Sequence, residues 1–145
     1  MSRIISYRGK LADGAQDTIP LHTNDGKTGY KVVKFQVIPF KAVTSANESV
    51  IQVWKIKQTA LTSNIDFGDL TLLAVGVYSN QSDTTYYPDD MNIVFDNEIF
   101  NQDIYLTHVN ETGSGACNYY LELEQIDLTE DQALVAIVKN LRNEQ

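Results

Sequence analysis

The stretch that decides the fold of this chain is Tyr119-Tyr120-Leu121-Glu122-Leu123-Glu124-Gln125-Ile126. Tyr119, Leu121 and Leu123 alternate with polar or partly polar neighbours, and an apolar period of two is typical of a β-strand with one buried face. We therefore predict a strand in which these three side chains face a core and the residues between them face solvent.

Towards the N-terminus, further short apolar or alternating segments are separated by turn signals. The strongest is Thr23 to Gly29, where Asp25-Gly26 supplies the positive φ of a tight turn. The apolar parity slips at Val53-Trp54, which predicts a β-bulge. We count about eight predicted strands, which are Arg3–Arg8, Asp17–His22, Tyr30–Ile38, Val50–Gln58, Leu70–Tyr78, Asn92–Phe95, Ile104–Val109 and Tyr119–Ile126. This spacing predicts an all-β fold, either an antiparallel β-sandwich or a jelly-roll-like barrel.

After the decisive stretch the period changes from strand to helix. Thr129 and Gln132 have the spacing of a capping box, so we predict one short C-terminal α-helix at about 129–142. Because 145 residues is about one domain, we expect residues 1–145 to form a single domain. The helix is too short to be stable alone, so its apolar stripe should cover its own sheet or contact a neighbouring subunit. That predicted interface stripe consists of Leu134, Ile137, Val138 and Leu141.

The charge of the chain is acidic and unevenly distributed. The net charge of −8 argues against nucleic-acid binding, which needs a basic surface. Residues 1–60 hold nine Lys/Arg and four Asp/Glu, whereas residues 61–145 hold two Lys/Arg and fifteen Asp/Glu. We expect strands of the two halves to interleave and neutralise each other. The alternative is a basic face on one copy meeting an acidic face on the next.

Residues that carry chemistry are sparse, and we expect neither an enzyme nor a cofactor or metal site. The sequence has no phosphate-binding loop, dinucleotide fingerprint or nucleophile elbow, and His22, His108 and Cys117 lie in no ligand motif. One cysteine cannot form an internal disulfide. The carboxylates are interpreted as solvated loop residues, with a structural cation site or a hydrolase carboxylate pair as the alternatives. They cluster at Asp66 and Asp69, at Asp89 and Asp90, and at Asp96, Glu98 and Asp103.

Membrane and secretion signals are also missing from the sequence. No stretch of about 18 apolar residues is present to span a bilayer, and the first residues lack the apolar run of a signal peptide. We therefore expect no membrane partner and folding in a reducing cytosol. Tyr86, Tyr87 and Tyr120 are predicted to be exposed, as tyrosines at interfaces and in sugar-binding grooves often are. Lateral packing on the strands is the alternative. Tyr86 and Tyr87 join the helix stripe as candidate interface residues.

Three stretches of the chain, taken in order, resemble a known class of protein. They are Thr23-Asn24-Asp25-Gly26-Lys27-Thr28-Gly29-Tyr30-Lys31-Val32-Val33-Lys34-Phe35, Phe95-Asp96-Asn97-Glu98-Ile99-Phe100-Asn101-Gln102-Asp103-Ile104-Tyr105 and Cys117-Asn118-Tyr119-Tyr120-Leu121-Glu122-Leu123-Glu124. With the short helix, they resemble small virion structural proteins of tailed phages of aquatic bacteria.

The resemblance implies a virion structural protein, and a capsid decoration (cement) protein before other roles. A tail or neck component, or a carbohydrate- or receptor-binding module displayed on the virion, are the alternatives. The implied partners are the major capsid protein or tail proteins and further copies of the chain in a homo-oligomer. The implied location is the virion, assembled in the host cytoplasm. The resemblance assigns no functional residue.

Overall fold

Eight β-strands and one helix form the regular structure of residues 3–41, 47–80, 89–112 and 115–143, which are those that the computed structural model describes. In chain order these elements are β1 (Arg3–Leu11), β2 (Gln16–Ile19), β3 (Thr28–Pro39), β4 (Asn47–Trp54), β5 (Leu72–Asn80), β6 (Asp89–Val94), β7 (Ile104–Asn110), β8 (Cys117–Asp127) and α1 (Glu130–Asn143). The predicted all-β fold with a C-terminal helix is confirmed.

The strands form two antiparallel sheets with nested connections. One sheet has the order β1-β8-β3 and the other the order β2-β7-β4-β5-β6. Hydrogen bonds join β1 to β8, β2 to β7 and β4 to β5, and β3 packs beside β6. This nesting is the connectivity of a jelly roll, in which one long hairpin is folded over into two sheets.

The core lies between the two sheets. On β8 the side chains of Tyr119, Leu121 and Leu123 are buried, and those between them are only partly buried, as the alternation predicts. They meet Ile51 and Leu106 of the five-stranded sheet in one cluster of buried residues. Because side chains alternate across a strand, each strand of the three-stranded sheet gives its other face to solvent.

Two local features predicted from the sequence are present. The register between β4 and β5 shifts between Val53 and Trp54, which confirms the bulge. Gly26 has a φ of 67°, and the backbone N–H of Lys27 donates to the Asp25 carboxylate at 3.0 Å, which confirms the tight turn. A positive φ favours glycine because it has no Cβ to clash.

The outer faces of the two sheets have different surroundings. Residues 55–71 cover part of the five-stranded sheet, where Gln52 Nε2 donates to the carbonyl oxygens of Thr62 and Asn64 at 3.1 and 3.2 Å. Trp54 is buried on the same side and donates from Nε1 to the Thr107 hydroxyl at 3.0 Å. Across the described ranges, no helix has the length and apolarity needed to cross a membrane.

Candidate assembly surfaces

The helix is held against the body of the domain through small side chains. Its N-terminus has the predicted capping box, because the Thr129 N–H donates to Gln132 Oε1 at 2.9 Å and the Gln132 N–H donates to Thr129 Oγ1 at 3.2 Å. Buried Ala133 and Ala136 lie on the inner side of the helix. Buried Asn101 donates from Nδ2 to the carbonyl oxygens of Gly26 at 2.9 Å and Ala133 at 3.2 Å. One side chain therefore joins the turn before β3 to the helix.

The predicted stripe of the helix is not the side that covers the core. Leu134 and Leu141 are 61% and 57% exposed, and Val138 is exposed as well, whereas Ile137 is partly buried. The core-covering role is therefore wrong for Leu134, Val138 and Leu141. Small residues let the Gly26 turn approach closely, so the alanine side docks and the larger side chains face outward. The interface role of the stripe stays a prediction.

Four exposed apolar residues of the helix form what we call the helix face: Leu134, Val135, Val138 and Leu141. A groove of about 330 Å³ runs beside it, between the helix and Asn97 and Ile99. Ile99 is itself exposed and extends the apolar surface across the groove. Contiguous exposed apolar surface of this kind marks interaction sites. Tyr86 and Tyr87, the other candidate interface residues, lie outside the described residues.

The outer face of the three-stranded sheet combines charges from both halves of the chain. Acidic β8 lies between basic β1 and β3, and Lys31 Nζ is 3.3 Å from Glu124 Oε1. The predicted neutralisation within one sheet is confirmed for this part of the face. Lys34 also approaches the Tyr120 ring, at 6.0 Å from its centroid. The Tyr120 hydroxyl donates to Glu122 at 2.7 Å, and this hydrogen bond, with some burial, raises the pKa of Tyr120.

Towards one end of this face lies an unbalanced region that we call the basic groove. It encloses about 550 Å³ and is lined mainly by Arg8, Lys10, Gln36, Ile38, Asn118 and Tyr120. Ile38 is 59% exposed, and next to it Phe40 is 60% exposed with the Lys10 ammonium 4.6 Å from its ring centroid. Among the described residues, the groove lining carries two cations and no carboxylate.

A second groove, which we call the acidic groove, lies where residues 66–72 meet residues 94–98. It encloses about 360 Å³ and is lined by Phe67, Asp69, Leu70, Leu72, Val94, Phe95, Asp96, Asn97 and Glu98. The rings of Phe67 and Phe95 meet edge to face at 5.1 Å. Glu98 is ion-paired with buried Lys55. Leu70, at 73% exposed, lies at the groove beside the carboxylates of Asp69 and Asp96.

The histidines and the cysteine do not come together. His22 Nδ1 is 2.6 Å from the Asp103 carboxylate, before β7, whereas His108 is buried near the other end of β7 with Nδ1 3.1 Å from the Leu11 carbonyl oxygen. Burial acts to raise the pKa of Asp103, but hydrogen bonds from the His22 side chain and two backbone amides outweigh it and lower that pKa. Burial raises the pKa of Cys117 to about 12.

The structure brings together two of the three predicted carboxylate clusters. Asp69, Asp96 and Glu98 line the acidic groove, while Asp103 lies with His22 and Asp90 is exposed on β6. In the part of the chain that the structure describes, no three His, Cys, Asp or Glu side chains are placed to hold a metal ion. The alternating sequence pattern could not reveal the grooves. The basic groove depends on which strands become neighbours in the three-stranded sheet, and the acidic groove depends on two distant segments meeting at one end of the other sheet.

Comparison with protein-family models and with curated proteins finds no match. Among solved structures, this chain is similar to one from a study of Bacillus endospore appendages, described as a novel family of disulfide-linked pili. The two chains are 7% identical, and the match covers 89% of this chain and 92% of that chain with a TM-score of 0.36. A likeness at this level carries no argument about function.

Proposed function

We propose that this chain is a structural protein of a virus particle, a capsid decoration protein that holds its neighbours by non-covalent contacts. The observation that carries the proposal is the helix face, whose apolar side chains are exposed on a helix that docks through alanines. The resemblance of the three sequence stretches to phage virion proteins supports the choice of particle. The major capsid protein is the proposed main partner, and tail or neck proteins are the alternative.

The helix face can bind without any catalytic group. Burying a leucine side chain from water is worth about 1.5–3 kcal/mol, and each 1.4 kcal/mol is about tenfold in affinity. Two leucines and two valines in a partner's groove therefore supply a useful contact, although a stable interface needs roughly 800 Å² on each partner. Many copies on one particle would strengthen the attachment, because each bound site raises the local concentration for the next.

Co-sedimentation of the purified chain with phage particles or empty capsids tests this proposal. The double variant Leu134→Asp/Leu141→Asp should bind at least about tenfold more weakly, because it places two carboxylates in an apolar contact. The matched control is Ile4→Asp/Met91→Asp, which adds the same two carboxylates at exposed apolar residues of β1 and β6. Absence of wild-type binding to capsids or tails contradicts the proposal, and equal binding by the double variant rejects the helix face.

A second candidate function, binding of a glycan displayed on a host surface, is favoured by the lining of the basic groove. Tyr120 offers a ring, and Asn118 and Gln36 offer amides, which is the mixture that sugar sites use. Tyr120→Ala should abolish glycan-array signal if this candidate is correct. A wild-type chain that gives no signal on any glycan would exclude it.

A further inference from the structure

The basic groove and the acidic groove lie at opposite ends of the strands. In the basic groove Lys10 pairs with Asn118, one residue from the end of both strands. Asp13 accepts a hydrogen bond from the Asn110 N–H at 2.9 Å, which places the end of β7 at this same end of the domain. The acidic groove lies at the opposite end of the domain, where Trp54 at the end of β4 pairs with Leu72 at the start of β5.

The two grooves are complementary in charge and in apolar character. The basic groove carries Arg8 and Lys10 beside exposed Ile38 and Phe40. The acidic groove carries carboxylates beside apolar side chains that are 54% exposed at Phe67 and 73% exposed at Leu70. Glu98 is already paired with Lys55, and Asp69 Oδ1 accepts hydrogen bonds from the N–H and the hydroxyl of Thr71. Exposed Asp96 is therefore the main carboxylate of this groove that is available to an incoming cation. Complementary potentials of this kind steer two surfaces together and set their register.

We propose that the basic groove of one copy binds the acidic groove of a second copy of this chain, head to tail. Such a heterologous contact leaves one free groove on each outer copy, so it builds a ring or an open row. The inference rests on the proposed function, because it supplies the lateral contact between neighbouring decoration proteins on a particle surface.

A second copy fits better than a polyanion. Net charge does not decide between them, because the −8 of the chain repels a polyanion and a second copy alike at long range. What favours a second copy is that Ile38 and Phe40 are exposed beside the cations, and apolar surface flanking charges is typical of protein contacts. A head-to-tail contact uses both grooves at once, whereas a free anion leaves the acidic groove unexplained.

Sedimentation velocity of the purified full chain at concentrations up to about 1 mM, where weak contacts are populated, tests the proposal. The wild type should self-associate. The basic-groove variant Arg8→Glu/Lys10→Glu and the acidic-groove variant Asp96→Lys/Asn97→Lys should each associate at least about tenfold more weakly, because like charges then face each other. Mixing the two variants should restore association, since the first keeps the native acidic groove and the second keeps the native basic groove.

The matched control is Arg3→Glu/Lys57→Glu, which reaches the same net charge as the basic-groove variant through two exposed residues that line neither groove. It should associate like the wild type; equal loss would show general repulsion and overturn the proposal. A monomeric wild type at the highest concentration, or a mixture that fails to associate, also overturns it. If the charge-reversed variant Arg8→Glu/Lys10→Glu has a lowered melting temperature, the milder variant Arg8→Gln/Lys10→Gln takes its place in the assay.

The outcomes separate this inference from the proposed function. A chain that stays monomeric yet co-sediments with capsids through the helix face keeps the decoration role and loses the head-to-tail contact. A monomeric chain whose basic groove retains heparin, with the retention lost in Arg8→Glu/Lys10→Glu, identifies an anionic glycan as the occupant instead.

Discussion

Replacing Glu98 by glutamine should destabilise the domain markedly, because it removes the counter-charge of a buried lysine. The Lys55 side chain is 3% exposed, and Glu98, its ion-pair partner, is 32% exposed. Breaking a buried ion pair by removing one partner costs about 3–5 kcal/mol. Since water reaches the Glu98 side of the pair, we expect the lower end, about 3 kcal/mol. For a domain of this length, that lowers the melting temperature by roughly 6–12 °C.

A double-mutant cycle isolates the interaction from the rest of the substitution. Lys55→Met keeps the length of the side chain and removes its charge, and replacing a buried ion pair with apolar groups is often neutral. In the Lys55→Met background, Glu98→Gln should therefore cost no more than about 0.5 kcal/mol. Urea unfolding at neutral pH gives the four free energies of unfolding, with Asp96→Asn as the control for an exposed carboxylate in the same turn.

The result that refutes this reasoning is a small and equal cost of Glu98→Gln in both backgrounds. The pair would then not hold residues 95–98 to the sheet. Because Asp96 and Asn97 of this turn line the acidic groove, a variant that loses the pair should also lose the self-association proposed above. A stable Lys55→Met/Glu98→Gln variant that still self-associates would show that the groove shape survives without the ion pair.

Three further predictions follow from burial. Ile137→Asp should lower the free energy of unfolding, measured in urea, by about 2–3 kcal/mol, because Ile137 packs against the Gly26 turn. Leu134→Asp, on the exposed side of the helix, should change it by less than about 0.5 kcal/mol. Equal costs of the two variants would contradict the assignment of the buried side of the helix. Burial, with the nearby Asp17 carboxylate, raises the pKa of Tyr119 to about 12 from 10.0, so its contribution to stability is present below pH 10 and is lost as the pH rises towards 12. Tyr119→Phe should flatten that alkaline decline, and an unchanged pH profile would contradict the assignment. Buried Cys117, with its pKa raised to about 12, should react with thiol reagents only at the rate of unfolding, and fast labelling of the native protein would show that the thiol is accessible.

Local sequence signals predicted the features that depend on near neighbours in the chain. Three features were predicted in this way, because each depends only on the spacing of residues within one strand or one helical turn. They are the alternation from Tyr119, the capping box of Thr129 with Gln132, and the bulge at Val53-Trp54. These signals were sufficient for the fold class and for most strand positions. The uneven charge predicted in addition that strands of the two halves would interleave, as acidic β8 does between β1 and β3.

The sequence could not show which side of the helix is buried. Two adjacent stripes were available, one containing Ala133 and Ala136 and the other containing Leu134 and Val138, and hydrophobicity favours the larger side chains. The choice depends on how closely the Gly26 turn approaches, which is a tertiary contact. A second bulge, between Val32 and Lys34, likewise places Val32 in the core although alternation through Val33 would exclude it.

The burial of Lys55 was missed for a similar reason. A lysine just after a strand normally faces water. The partner of Lys55 is Glu98, which is far from it in the sequence and comes near only when the chain folds. The grooves share this origin, since each is lined by residues far apart in sequence. The proposed binding surfaces of this protein therefore depend on tertiary packing rather than on local sequence pattern.

The position of β8 at the centre of the three-stranded sheet has a consequence for how the protein is made. Both β1 and β3 pair only with β8 in that sheet, and Arg3 pairs with Gln125. Neither strand can therefore pair there until most of the chain has been synthesised. At a synthesis rate of roughly 5–20 residues per second, that wait is roughly 6–24 s for β1 and roughly 5–20 s for β3. During it, two long strand edges are open to wrong partners. Nascent chains stalled before residue 117 should consequently be the species that chaperones capture, and timely release from the ribosome should govern the yield of folded protein.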